Sequence, residues 1–136
     1  MKWVPWDHIL KTGHAEIDAD HREMVKLFNE LADAAMHQKG KITCCSVLDK
    51  IIEYTISHFK HEAKLMAKYR YPKAEQHNAE HTLLIRQALK YRTKFETGTS
   101  GSYIEPVHFP EDWLTRHIVT SDKELAAFLV NADAAR

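Results

Sequence analysis

The sequence has no long apolar run and no block of basic residues. Nowhere in its 136 residues do the roughly 18 consecutive apolar residues of a membrane-spanning helix occur. Basic and acidic side chains balance at 19 each without any Lys/Arg cluster, which argues against nucleic acid or an anionic membrane as the main partner. Residues 1–8 also lack the apolar core of a secretory signal peptide. We therefore expect neither membrane insertion nor nucleic-acid binding.

Cysteine is nearly absent as well. The two cysteines, Cys44 and Cys45, are adjacent, and this spacing fits a structural disulfide poorly. We interpret both as ordinary thiols, with a redox-sensing role as the alternative. Unpaired thiols favour a reducing compartment, so we expect a cytoplasmic protein. The chain length fits a single domain whose core needs no disulfide.

Histidine, in contrast, is abundant, with ten residues in the chain. Five of them, together with two carboxylates, fall on predicted helices, and two of the spacings are i,i+4, which places both side chains on one helix face. The set is His21, His58, Glu62, His77, His81, His117 and Asp122. Imidazole nitrogens and carboxylate oxygens suit a first-row transition metal, iron among them. Seven donors are too many for one ion and fit two.

Four segments of the chain show helical periodicity, and no strand pattern competes with them. The predicted helices run from about residue 18 to 36, from 43 to 69, from 72 to 95 and from 110 onward, with Asp18 or Asp20 capping the first. Pro72 is expected in the first turn of the third helix and Pro110 at the start of the fourth. Short connections predict an all-α, antiparallel up-down-up-down four-helix bundle, whose core is the usual place for a metal site.

The amino-terminal segment is too apolar for a solvated tail. It contains two tryptophans, Trp3 and Trp6, together with Val4 and Ile9. We expect residues 1–17 to form an arm packed on the bundle, and residues 18–136 to form the bundle itself.

The spacing of His117 and Asp122 conflicts with a regular helix. Five residues of α-helix turn about 500°, which leaves these two side chains about 140° apart. Both must nevertheless reach one metal pair. We therefore predict either a π-type bulge between them or a strongly inclined approach by Asp122. Bulges of this kind favour functional sites, and residues 118–121 are indifferent helix formers.

The order and spacing of the seven donors resemble the hemerythrins, specifically their single-domain bacterial form. The resemblance extends from about Trp6 to Leu129 and includes Trp113 and Leu114 ahead of His117. A relative, myohemerythrin, is an up-down four-helix bundle. On this resemblance, residues 18–136 would be a hemerythrin-like di-iron domain.

The resemblance implies two non-haem irons with unequal coordination, bridged by both carboxylates and by an oxo or hydroxo group from solvent. The implied ligands are His77, His81 and His117 for one iron, His21 and His58 for the other, and Glu62 and Asp122 as bridges. The two-histidine iron keeps one position for O₂. The implied function is reversible O₂ binding for transport, storage or delivery, with an O₂-consuming enzyme as the recipient.

Around the open position the resemblance places apolar side chains and no general acid. These pocket residues are Met24, Phe59, Trp113, Leu114 and Ile118. Five imidazoles to two carboxylates also differ from the carboxylate-rich sites of ferritin-like proteins. Both features favour binding over catalysis, so we do not expect an enzyme. One alternative is an O₂ or redox sensor module, which the single predicted domain disfavours, and another is a di-iron enzyme acting on peroxide or nitric oxide.

The other histidines are expected outside the ligand set. His61 lies about 60° from His58 around the helix, which predicts a surface or supporting position. The arm, helix-end and loop histidines are expected to be solvated: His8, His14, His37 and His108.

Overall fold

The computed structural model describes residues 10–37, 40–97 and 116–134, and the regular structure in these ranges is entirely helical. Three long helices come first, and a π-helical segment then leads directly into the last helix. The elements are α1 (Ala15–Met36), α2 (Lys41–Lys68), α3 (Ala74–Thr97), the π segment (Ile118–Asp122) and α4 (Lys123–Ala134). Helix α2 packs against both α1 and α3. The predicted all-α four-helix bundle is confirmed. No helix in the described ranges is long and apolar enough to cross a membrane.

Two apolar clusters form the core, and the polar donors lie between them along the helices. The larger cluster includes Met24 of α1, Phe59 of α2 and Leu84 of α3. The smaller cluster includes Met66 of α2 and Leu129 of α4. On α2, for example, His58 directly precedes Phe59 of the larger cluster, and Glu62 lies between Phe59 and Met66 of the smaller cluster. Burial of such side chains stabilises the fold by about 1.5–3 kcal/mol each, which lets the bundle accommodate a polar centre.

The start of α1 differs from the prediction. The helix begins before Asp18, and the ring of His14 accepts a hydrogen bond from the backbone N–H of Ile17 at 3.3 Å, as an N-cap does. Asp18 instead reaches back and accepts from the backbone and hydroxyl of Thr12 at 2.8 and 2.7 Å. The prediction that Asp18 or Asp20 caps the helix was wrong, and so was the solvated role of His14. Asp20 is thereby free for a different role.

The turn between α2 and α3 is a Schellman motif. Arg70 adopts a left-handed conformation with φ 55°, and the backbone N–H of Tyr71 reaches the carbonyl of Met66 at 2.9 Å. Tyr71 and Met66 are both buried in the smaller cluster, which supplies the apolar contact typical of this motif. Pro72 lies in the turn, before α3, and not in the first helical turn as predicted.

Part of the amino-terminal arm and the segment around Pro110 lie outside the described residues. The arm's packing over residues 1–9 and the start of the fourth helix therefore stay predictions. Leu10, the first described residue, is buried in the larger cluster with 3 % exposure.

Candidate metal centre

The predicted donors converge in the middle of the bundle, and none of the seven is more than 6 % exposed. Their nitrogen and oxygen atoms form two groups, and within each group all atoms lie within 4.8 Å of one another. The larger group is His77, His81, His117, Glu62 and Asp122, and the smaller is His21, His58, Glu62 and Asp122. The two carboxylates thus belong to both groups.

Glu62 offers one oxygen to each group. Its Oε2 lies 3.0 Å from Nε2 of His58, which precedes it by one turn of α2. Its Oε1 lies 3.0 Å from Nε2 of His77 and 3.1 Å from Nε2 of His81, both on α3. The carboxylate therefore lies between the histidines of the smaller group and those of the larger.

Asp122 repeats this arrangement from the other side of the bundle. Its Oδ2 lies 2.8 Å from Nε2 of His21 on α1. Its Oδ1 lies 3.0 Å from Nε2 of His117 and 3.2 Å from Nε2 of His77. Two carboxylates that each present one oxygen to each histidine group have the geometry needed to bridge two cations.

The donor atoms fit a cation because most of them are otherwise left without a partner. Buried polar atoms in proteins are nearly always hydrogen-bonded. The short nitrogen–oxygen contacts given above do not have hydrogen-bond angles for most of these atoms. Among the described residues, the buried atoms without a hydrogen-bond partner include Nε2 of His21, His58, His81 and His117, Oε2 of Glu62 and both carboxylate oxygens of Asp122. Such a concentration of unsatisfied nitrogen and oxygen atoms in one place matches the donors that first-row transition metals prefer.

The π segment brings His117 and Asp122 to one side of their helix. A π turn holds one residue more than an α turn, so residues five apart align. The backbone N–H of Lys123 reaches the carbonyl of Ile118, five residues back, at the end of this segment. Asp122 is fully buried, while Val119 on the opposite side is 36 % exposed. The predicted π bulge is confirmed, and an inclined approach by Asp122 is not needed.

Two further carboxylates hold the outer nitrogens of two imidazoles. The Nδ1 atom of His58 donates to Asp20 at 2.7 Å, and that of His117 donates to Glu80 at 2.6 Å. The hydroxyl of Ser121 also donates to Glu80, at 2.8 and 2.9 Å to its two oxygens. A metal-bound histidine usually has such a partner on its other nitrogen.

Neither of these supporting carboxylates was predicted. Asp20 was predicted only as a candidate helix cap, and its local sequence does not distinguish that role from the observed one. Glu80 lies three residues after His77 and beside His81, so its flank position on α3 was visible in the sequence. His61 lies at the edge of the site, as predicted, and its Nδ1 donates to Asp20 at 2.9 Å.

The cluster shifts the pKa values of several of its members. Burial lowers the pKa of His81. For His58, His77 and His117 burial acts in the same direction, but the nearby carboxylates outweigh it and raise the pKa to about 9, about 9 and about 10, respectively. Burial would raise the pKa values of both shared carboxylates, yet the surrounding imidazoles hold them below their usual range. Without metal, several imidazoles therefore carry protons that a bound cation would displace.

A small cavity of about 10 Å³ adjoins the cluster, which is about the space of one water molecule. Its apolar lining contains three of the predicted pocket residues and one that was not predicted. The apolar residues are Met24, Phe59, Leu84 and Ile118, and the polar ones are His21, His58, His117 and Asp122. Leu84 was not among the predicted pocket residues, although it follows His77 by seven residues and so lies on the same face of α3. Trp113 and Leu114 lie outside the described residues.

Comparison with known proteins agrees with this arrangement. A family model described as the hemerythrin HHE cation binding domain matches residues 12–129. The chain belongs to the hemerythrin family. It is 33 % identical to a bacteriohemerythrin of Pseudomonas aeruginosa (strain LESB58), over 90 % of this chain and 78 % of that protein. A bacteriohemerythrin of Methylococcus capsulatus (strain ATCC 33009) is 32 % identical, over 90 % of this chain and 92 % of the relative.

Solved hemerythrin structures share the fold. A crystal structure of wild-type hemerythrin matches with a TM-score of 0.83 at 28 % identity, covering 94 % of this chain and 98 % of the other. The resemblance recognised from the donor spacing is therefore confirmed for the family. Membership implies a non-haem iron-binding domain, and the buried histidine–carboxylate cluster is able to hold the metal.

Proposed function

We propose that this hemerythrin domain binds O₂ reversibly at a pair of non-haem irons and serves as an oxygen carrier, storage or delivery protein. The observation that carries the proposal is the placement of Glu62 and Asp122, each with one oxygen toward each histidine group. This arrangement suits two metal ions with shared carboxylate ligands better than one. We further propose that an O₂-consuming enzyme receives the oxygen.

The two halves of the site have different numbers of histidines, and this difference supports different roles for them. His77, His81 and His117 would fill one half, whereas only His21 and His58 serve the other. The half with fewer protein ligands has room for an additional small ligand. When bound, the iron pair supplies the electrons that reversible O₂ binding requires. The protein's part is to hold both ions at a fixed separation through the shared carboxylates.

The cavity beside the site favours binding over catalysis. It adjoins both histidines of the two-histidine half, His21 and His58, and its remaining lining is largely apolar. Every titratable side chain among its described lining residues is itself a proposed ligand, so none is free to deliver a proton to a bound ligand. The apolar wall, to which we also assign Trp113 and Leu114, would exclude water and anions from the same place.

We also propose a cytoplasmic location. It is supported by Cys44 and Cys45, which are both buried and unpaired with each other or with another thiol among the described residues.

The proposal is tested by metal analysis and by spectroscopy of the reduced protein. We expect about two irons per chain after expression with iron. The anaerobically reduced protein should change its spectrum in air and return to the starting spectrum when O₂ is removed. One zinc per chain, with no iron even after reconstitution, would refute the metal assignment. Direct, irreversible oxidation in air with rapid peroxide turnover would replace the carrier function with an enzymatic one.

A further inference from the structure

Asp20, on α1 next to His21, connects three side chains of α2 behind the two-histidine half of the site. Its Oδ2 accepts hydrogen bonds from Nδ1 of His58 at 2.7 Å and from Nδ1 of His61 at 2.9 Å. Its Oδ1 accepts from the Tyr54 hydroxyl at 3.3 Å. The Asp20 side chain is only 21 % exposed and that of His58 is 1 % exposed, so this carboxylate lies between the buried ligand and the surface.

The other imidazole of the two-histidine half has no comparable carboxylate partner in the part of the chain that the structure describes. Nδ1 of His21 is buried and has no hydrogen-bond partner among the described residues. The three-histidine half is secured in more than one way, because His117 donates to Glu80 and His81 stacks on Phe59 with ring centroids 3.7 Å apart and planes 2° from parallel. The rings of His21 and His58 contact each other edge-on with centroids 4.9 Å apart, so the bond from His58 to Asp20 also supports the orientation of His21.

We propose that Asp20 is a positioning residue that selectively secures the metal ion of the His21–His58 half, so that its removal leaves a protein with one tightly bound metal. This inference rests on the proposed two-metal site. The bond to Asp20 keeps a proton on Nδ1 of His58 and leaves Nε2 free to face Glu62 and the metal. A carboxylate partner also makes the imidazole a stronger donor.

The expected size of the effect follows from comparable partners in other metal sites. Loss of such a hydrogen-bond partner usually costs about 10- to 100-fold in metal affinity. In the two-histidine half this loss falls on one of only two imidazoles. In the three-histidine half Asp20 contacts none of the ligands, so that ion should keep its affinity.

A different role for Asp20 has to be separated from this one. Asp20, His58 and His61 also offer ligand atoms within 4.8 Å of one another, so these side chains could themselves hold an ion. In a positioning role His61 only shares an oxygen of Asp20 with His58. In a metal-binding role His61 would be a ligand. Replacement of His61 therefore distinguishes the two roles.

The test is anaerobic titration of the metal-free full-length chain with Co²⁺, followed by visible absorption and by competition with a chelator. We expect the unchanged protein to bind two equivalents. Asp20→Ala should keep one and weaken the other by about 10- to 100-fold. Asp20→Asn should be intermediate, because the amide oxygen still accepts a bond from His58. His61→Ala should bind both ions, and so should Glu16→Ala, a matched control whose carboxylate contacts His61 at 3.2 Å.

The outcomes separate this inference from the proposed function. Two equally tight Co²⁺ ions in Asp20→Ala would overturn it, as would equal weakening of both ions or the loss of one in His61→Ala. If Asp20→Ala does not fold, Asp20→Asn provides the same comparison, since it retains the side-chain volume at the network. A single Co²⁺ site in the unchanged protein would instead refute the two-metal proposal, and the inference with it.

Discussion

Leu84→Ala should shorten the lifetime of the O₂ complex without removing the metal. Leu84 is buried and lines the cavity beside the proposed site, which at about 10 Å³ has space for about one water molecule. Truncation to alanine enlarges this space next to polar groups, so water can enter. We take the effect of one such water on the barrier to autoxidation as that of one hydrogen bond to a charged group, about 1.5–3 kcal/mol. A change of about 1.4 kcal/mol in the barrier corresponds to a tenfold change in rate. We therefore expect autoxidation to accelerate about tenfold or more.

The matched control is Leu129→Ala, because the substitution is chemically identical but falls in the smaller apolar cluster. Either truncation should lower the free energy of unfolding by about 2–5 kcal/mol, and only Leu84→Ala should accelerate autoxidation. The assay follows the decay of the oxygenated spectrum in air, with iron content and the thermal midpoint measured on the same samples. Equal decay rates in the two variants would refute the role of the cavity wall. Loss of iron in Leu84→Ala alone would refute it too.

Three further predictions concern the donors and their partners. Glu62→Ala or Asp122→Ala should lose the two-iron site, since each removes an oxygen from both halves; elemental analysis showing two irons in either variant would contradict the bridging role. Glu80→Gln should weaken metal binding by about 10- to 100-fold, and chelator competition that shows no change would oppose this. In the metal-free protein, the pKa of His58 is raised from 6.5 to about 9 and that of His117 from 6.5 to about 10. The contribution of these two protonated imidazoles to the free energy of unfolding is therefore complete below pH 6.5 and is lost as the pH rises through 9 to 10. Its thermal midpoint should therefore fall between pH 6.5 and 10, and a midpoint that rises over this range would contradict the assignment.

The helices and the convergence of the donors could be predicted because both depend on local periodicity. Buried positions at a spacing of 3.6 residues place His58 and Glu62 on the same face as their apolar neighbours. The distorted helix was also predictable, because the five-residue spacing of His117 and Asp122 is incompatible with a straight α-helix that serves one site. In each case the relevant information lies within a few turns of one helix.

The supporting hydrogen bonds could not be predicted in the same way. Asp20 and His58 are far apart in the sequence, and an aspartate near a helix start has the same local pattern whether it caps the helix or reaches across the bundle. Arg70 gives a similar case: the sequence predicted the end of α2 near residue 69, but not the left-handed residue in the turn, because that conformation is more typical of glycine. These features depend on how neighbouring helices meet.

The π segment also determines how the fourth helix tolerates changes in length. Removal of one exposed residue, such as Val119, would bring His117 and Asp122 to the i,i+4 spacing, about 40° apart on an ordinary α-helix. The segment that follows would keep its present orientation, so Leu125 would still face the core. A deletion between His58 and Glu62 could not be accommodated in this way. Helix α2 is regular there, so the shortened helix would turn the Glu62 carboxylate by about 100°. Natural variation in chain length near the site should therefore be concentrated in the fourth helix.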